Sequence, residues 1–145
     1  MLVDFYHLTA SPLERVLPRI CERLLAGGER LLVVGDGGLL DALDGQLWSY
    51  APDSFLPHGR SGRPNADRQP ILLSEDPAPA NGAAAIALAD GRWRDEALGF
   101  GRAFYFFGDT ALDDARTSWR ALADREGVER RYWKQDDRGK WVQGP

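Results

Sequence analysis

The last third of the chain gathers side chains that can hold an anion with an apolar end. One run, 113–120, contains Arg116, Trp119 and Arg120, and a second run, 129–142, is rich in Arg, Lys, Tyr and Trp. Arg116 and Arg120 stand four residues apart, which places two side chains on one face of a helix. Guanidinium groups bind a carboxylate through forked, charge-assisted hydrogen bonds, and aromatic neighbours accept an apolar group. The alternative is a solvated charged face, with Trp119, Trp133 and Trp141 in the core.

A second candidate is the glycine-rich stretch Gly35-Asp36-Gly37-Gly38, which follows an apolar run and opens a helix. A dinucleotide fingerprint needs a third Gly for close packing of helix on sheet, and Leu40 stands there. The Lys-Ser/Thr pair of a phosphate loop is missing as well. The stretch favours a plain turn, and the alternative is a small α/β nucleotide-binding domain or enzyme with its site near Gly35–Gly38.

The remaining residues of catalytic type are few and scattered. His7 and His58 are expected to serve packing, hydrogen bonding or an interface, and Cys21 to be a small buried hydrophobe. No His, Cys or carboxylate spacing matches a metal site, and local sequence shows no grouping of nucleophile, base and acid. We therefore predict no catalytic residue, cofactor or metal, and no intrinsic enzymatic activity.

Composition sets the class of protein. The sequence has 145 residues, 43% hydrophobic and 28% charged, which predicts a globular protein with one domain over 1–145. The net charge of -4 argues against a nucleic-acid-binding domain and leaves room for a local basic patch. The N-terminus does not resemble a signal peptide, and no apolar run reaches the ~18 residues of a membrane span. We expect a cytoplasmic protein with no membrane partner.

The elements that must position these residues follow from hydrophobic periodicity. Helices are predicted after a capping box at Ser11–Glu14, after Gly38, and over Thr110–Glu126. Strands are predicted over 2–8, 31–34, 70–74, 83–88 and 103–107, with two short strands within 129–142. Alternation of strands and helices predicts an α/β fold: a single-domain three-layer sandwich with a Rossmann-like, mostly parallel central sheet flanked by helices.

One stretch of the long loop predicted over 51–68 is too apolar for a linker. Phe55-Leu56-Pro57 either folds back into the core or stays exposed as a patch for a partner. The sequence alone leaves both possibilities open.

Several segments resemble the chi subunit of bacterial DNA polymerase III holoenzyme, from one end of the chain to the other. They are the opening Asp4-Phe5-Tyr6-His7-Leu8, Leu47-Trp48 with Ser54-Phe55-Leu56-Pro57-His58-Gly59, the strand 69–74, the helix segment 115–120, and Tyr132-Trp133-Lys134-Gln135-Asp136. Their order and spacing carry the resemblance. It implies a nucleotide-binding-like fold without a nucleotide, in an accessory subunit of the clamp-loader assembly that meets nucleic acid only indirectly.

The resemblance also implies two contact faces. Arg116, Trp119, Arg120 and Lys134 correspond to positions that bind the acidic C-terminal tail of single-stranded DNA-binding protein, which ends in Phe. Trp48, Phe55 and Leu56 correspond to the face for the psi subunit or another clamp-loader component. Ala123 departs from relatives with a basic residue there, and Arg125, Arg130 or Arg131 could supply that charge.

Overall fold

Short apolar runs bounded by Gly, Pro and Asp form one sheet in the computed structural model, which describes residues 1–50 and 56–144. Runs such as Leu31–Val34 are buried on both faces, as expected for strands of a parallel sheet. The strands are β1 Leu2–His7, β2 Leu31–Val34, β3 His58–Arg60, β4 Ile71–Ser74, β5 Ala85–Leu88, β6 Arg102–Phe107, β7 Glu129–Gln135 and β8 Trp141–Gln143.

The sheet has the order β3-β4-β2-β5-β6-β1-β7-β8. Each neighbouring pair is parallel except β7 and β8, which form an antiparallel edge. In register, Asp4 of β1 lies opposite Phe104 on one side and Arg131 on the other. The C-terminal strands thus extend the sheet beside β1.

Helices cover both faces of this sheet. Those in the described residues are α1 Leu13–Ala26, α2 Gly37–Ser49 and α3 Leu112–Ala123. The apolar stripes of α1 and α2 pack with Tyr6, Phe104 and Phe106 in one core. The other core contains Phe5, Tyr105 and the stripe of α3. The predicted α/β sandwich with a mostly parallel sheet is confirmed.

Two local predictions were wrong. Ser11 does not cap α1: Pro12 precedes the helix without a side-chain cap, and the Ser11 hydroxyl instead accepts a hydrogen bond from Gln135 Nε2 at 3.0 Å. Residues His58–Arg60, predicted as loop, form the edge strand β3. These three residues show no strand pattern of their own, and they form a strand because they pair with the apolar strand β4.

Among the residues the structure describes, no helix combines the length and the apolar character that a membrane-spanning helix requires.

Candidate functional site

Helix α3 packs on the sheet with one side and exposes two arginines on the other. Its buried side, Ala115, Ser118 and Leu122, holds the helix on the sheet. Arg116 and Arg120 lie one turn apart on the outward side and are exposed. The predicted pair therefore shares a face and is accessible to a ligand.

Trp119 lies beneath this basic face rather than on top of it. Its half-buried ring meets Phe5 at 5.1 Å and Tyr132 at 5.7 Å between ring centroids, both edge-to-face. Edge-to-face aromatic pairs add stabilisation beyond simple burial. Trp119 is thus an anchor that fixes the position of α3, with part of its surface still open.

Strand β7 carries Lys134 to the same side of the sheet. Tyr132 packs into the core under α3, and side chains two residues apart on a strand share a face, so exposed Lys134 follows Tyr132 on the α3 side. Burial raises the pKa of Tyr132, and the positive charge of Arg116 opposes that rise. The structure therefore brings the four predicted tail-binding residues, Arg116, Trp119, Arg120 and Lys134, to one side of the sheet.

Arg130 is an additional cation of this face. Its guanidinium lies 4.0 Å from the centroid of the Trp119 ring and donates a hydrogen bond to the Trp119 carbonyl oxygen. Of the three arginines considered for the charge absent at Ala123, Arg125 lies 3.7 Å from Asp95, and Arg131 points to the opposite face. Of the three, Arg130 is therefore the arginine in contact with a predicted site residue. Its position two residues before Tyr132 on a strand places both side chains on one face, and this spacing is visible in the sequence.

The second predicted face divides in the structure. Trp48 is 56% exposed, with its ring 4.6 Å from that of His58. Leu56 is 3% exposed and packs in the core with Leu43 and Leu47, so it supports this face from below. Phe55 lies outside the described residues.

Both histidines have structural contacts. His58 is buried, with Nδ1 2.7 Å from the Leu56 carbonyl oxygen and Nε2 2.9 Å from Asp44 Oδ1. His7 stacks on Phe107 and places Nε2 2.8 Å from Asp109 Oδ1. Over the described ranges 1–50 and 56–144, no three His, Cys, Asp or Glu side chains gather as potential metal ligands.

A charged cluster on the opposite face of the sheet was not predicted. Asp4 is fully buried and accepts hydrogen bonds from Arg131 Nε at 2.8 Å, Arg102 Nη2 at 2.9 Å and Trp133 Nε1 at 3.0 Å. Burial raises the pKa of this carboxyl group, but the hydrogen bonds and nearby charges outweigh it and the pKa is lowered overall. The three donors come from strands on both sides of β1, so no local spacing reveals the cluster.

The glycine-rich turn has the geometry of a helix start. The Asp36 side chain caps α2 by accepting from Leu39 N–H at 2.9 Å, so it occupies a donor that a phosphate would use. The adjoining crevice at the carboxyl ends of the strands carries Glu14, Asp36 and Asp90, and none of its described lining residues is Lys or Arg. This charge disfavours a nucleotide phosphate.

The structure defines an α/β sandwich with exposed arginines on α3 and a buried, arginine-bound carboxylate on the opposite face of the sheet. A family model described as DNA polymerase III chi subunit, HolC, matches residues 1–129 of the chain. The chain belongs to this family, and it is an accessory subunit of the DNA polymerase III holoenzyme, with a role in DNA replication. No curated protein matches the sequence.

Proposed function

We propose that this subunit links the clamp loader to single-stranded DNA-binding protein in the cytoplasmic replisome by binding that protein's acidic C-terminal tail. The observation that carries the proposal is the exposed pair Arg116 and Arg120 on α3, beside β7 and its exposed Lys134. The subunit acts as a connector and performs no chemistry of its own.

The chemistry of this face matches the C-terminal residue of such a tail and the acidic residues before it. A terminal carboxylate gains forked hydrogen bonds from Arg116 or Arg120. A terminal Phe ring gains area burial against the aliphatic stems of the arginines and the open part of Trp119. Acidic residues further along the tail add a longer-range attraction that salt screens. Arg130, held on Trp119, adds one positive charge to this field.

Calorimetry with a tail peptide tests the proposal. Arg116→Ala/Arg120→Ala should weaken binding by roughly tenfold or more, because two charge-assisted contacts are lost. Arg63→Ala/Arg68→Ala is the matched control, since it removes two exposed arginines on another part of the chain. Its affinity should stay near that of the unaltered protein. Equal affinity of both double variants would place the tail elsewhere.

Changes to the peptide and to the salt concentration separate the contribution of the terminal Phe from that of the acidic residues. Deleting the terminal Phe should weaken binding more than neutralising one upstream Asp, because the Phe carries both the ring and the terminal carboxylate. Raising the salt concentration should weaken binding without abolishing it, since burial of the ring is insensitive to screening. A peptide without its Phe that binds as tightly as the intact one would contradict the proposed pocket.

The connection to the clamp loader is proposed at the second face, through Trp48 and Phe55, with psi or another clamp-loader component as partner. Trp48 is the exposed large hydrophobic side chain of the described residues, and such rings are common anchors of interfaces. Buried Leu56 supports this surface. Loss of clamp-loader components from a pull-down with Trp48→Ala tests this face.

A further inference from the structure

A groove on the side of the sheet opposite α3 is lined by basic and aromatic side chains that play no part in the proposed tail binding. It lies between α1 and the strands β1, β6, β7 and β8, and encloses about 620 Å³. This volume lies in the range of ordinary ligand sites. It belongs to neither of the two faces described above.

The walls of the groove are basic. Its charged lining residues are Arg15, Arg19, Arg23, Arg102, Arg131 and Lys140. Three of these follow one another every fourth residue along α1, so they form a row about 12 Å long at ~1.5 Å per residue. All three are exposed. A linear ligand with regularly repeated negative charges would find successive partners along this row.

The floor of the groove is aromatic. Tyr6, Trp133 and Trp141 line it. The Tyr6 ring lies parallel to Trp133 within 14° and meets Trp141 edge-on at 5.2 Å. Trp133 and Trp141 are only partly buried, so each keeps some ring surface toward the groove. Flat rings next to cations are the combination on which unpaired bases stack.

Nearby carboxylates neutralise only part of the charge. Asp4 lies below the floor and is bonded to Arg102 and Arg131. Glu22 and Arg19 both interact with the Tyr50 hydroxyl group. Glu129 acts on Arg131 electrostatically, and Asp136 accepts a hydrogen bond from Lys140 N–H at 2.9 Å. Six cations against the carboxylates of Asp4, Glu22, Glu129 and Asp136 leave the groove with a net positive charge, although the whole chain carries a net charge of -4.

We propose that this groove binds single-stranded nucleic acid, with phosphates along the arginine row of α1 and bases against Trp133 and Trp141. Phosphodiester groups bring only acceptors, which suits a lining of Arg and Lys donors. A peptide would also bring one N–H donor per residue. Gln135 Oε1, an acceptor at the groove, already accepts from Ala10 and Ser11 N–H at 2.9 and 3.0 Å. The groove therefore favours nucleic acid over an acidic peptide.

This inference goes beyond the proposed link to single-stranded DNA-binding protein, and it differs from the expectation that nucleic acid is met only indirectly. The connector would hold a protein tail on α3 and a short stretch of strand on the opposite face. Because the two sites use different residues on different faces, each can fail without the other.

Fluorescence anisotropy with a labelled oligothymidylate of about 12 nucleotides tests the groove. Arg15→Gln/Arg19→Gln/Arg23→Gln should weaken binding at least about tenfold at low salt. The slope of log affinity against log salt should fall by about 2, since each phosphate contact on a single strand contributes ~0.7. Arg116→Gln/Arg120→Gln is the control: it should keep the oligonucleotide and lose the tail peptide.

A second variant addresses the aromatic floor. Trp141→Leu should weaken oligonucleotide binding several-fold while leaving the salt slope unchanged, because stacking is lost and phosphate contacts remain. Thermal melts monitor folding, and the exposed arginine row supplies the decisive test if the Trp141 variant melts early. An unchanged affinity in the triple-arginine variant would overturn the proposal. So would a Glu-rich peptide that binds the groove more tightly than oligothymidylate and loses binding in that variant.

Discussion

The Asp4 carboxylate and the Arg131 guanidinium form a two-pronged ion pair across neighbouring strands, with Nε–Oδ1 at 2.8 Å and Nη2–Oδ2 at 3.1 Å. Asp4 is fully buried, and its second strand neighbour provides Arg102. The pair joins β1 to β7, and Arg102 of β6 extends it across three strands. A carboxylate so placed couples the C-terminal strands to the centre of the sheet.

Asp4→Asn should therefore lower the free energy of unfolding by about 2–3 kcal/mol near neutral pH. This value is smaller than the roughly 3–5 kcal/mol for breaking a fully buried pair, because Arg102 and Arg131 remain 37% and 32% exposed. Urea titration gives the value. Asp137→Asn changes the same charge at an exposed position and should stay within about 0.5 kcal/mol of the unaltered protein.

The Asp4 ion pair also predicts a pH dependence. Because the pKa of Asp4 is lowered in the folded state, the unfolded chain binds the proton more readily. The stabilisation is complete above the unfolded pKa of about 3.9 and is lost as the pH falls through the lower folded pKa. The gap in unfolding free energy between the unaltered protein and Asp4→Asn should narrow in acid below about pH 4. A constant gap would mean that the carboxylate charge is not what stabilises the strands.

Arg130 should matter for both stability and tail binding. Arg130→Lys keeps the charge but loses the planar contact with the Trp119 ring, and should cost about 0.5–1 kcal/mol of unfolding free energy. Arg130→Gln also removes the charge and should weaken the tail peptide further. Arg138→Gln, at an exposed turn, serves as the charge control. Equal tail affinity in the Lys and Gln variants would show that the charge of Arg130 plays no part.

At the second face, exposed Trp48 should affect binding of the partner, whereas buried Leu56 should affect stability. Trp48→Ala should keep a cooperative melt and lose clamp-loader components in a pull-down, since truncating an interface aromatic commonly costs more than ~1 kcal/mol. Leu56→Ala should instead lower stability by about 2–4 kcal/mol, because it opens a cavity in the core. If Trp48→Ala retains the partner, the docking face lies elsewhere.

Cys21 gives a simple probe of the packing of α1. It is the single cysteine of the sequence, it is fully buried, and burial raises the pKa of its thiol to about 12. A thiol reagent should therefore modify it at neutral pH only as fast as the protein opens, with glutathione as the reactive control. Modification as fast as that of glutathione in native buffer would contradict the packing of α1 on the sheet.

Elements with a local pattern of apolar or charged residues could be predicted from the sequence. Elements that form only through contacts with distant residues were missed. Apolar runs such as Leu31–Val34 were sufficient for the interior strands, and the spacing of Arg116 and Arg120 was sufficient for a shared helix face. Strand β3 was missed because its order comes from β4. The capping box failed because a distant side chain, Gln135, engages Ser11.

The basic groove escaped prediction for a related reason. Arg15, Arg19 and Arg23 lie on the polar side of an amphipathic helix, where charge normally means solvation. They become a wall only when β7 and β8 place Trp133 and Trp141 opposite them. Long-range pairing of strands, which no local period encodes, creates the site.

The antiparallel edge supplies one side of the groove. The family model ends at Glu129, the first residue of β7, so the hairpin of β7 and β8 lies almost wholly beyond the matched residues. That hairpin contributes Arg131, Trp133, Lys140 and Trp141 to the groove, while α1 and Arg102 belong to the matched part. An exchange of this hairpin between relatives would therefore change the cations and aromatic rings on one side of the groove, while the arginine row of α1 stayed in place.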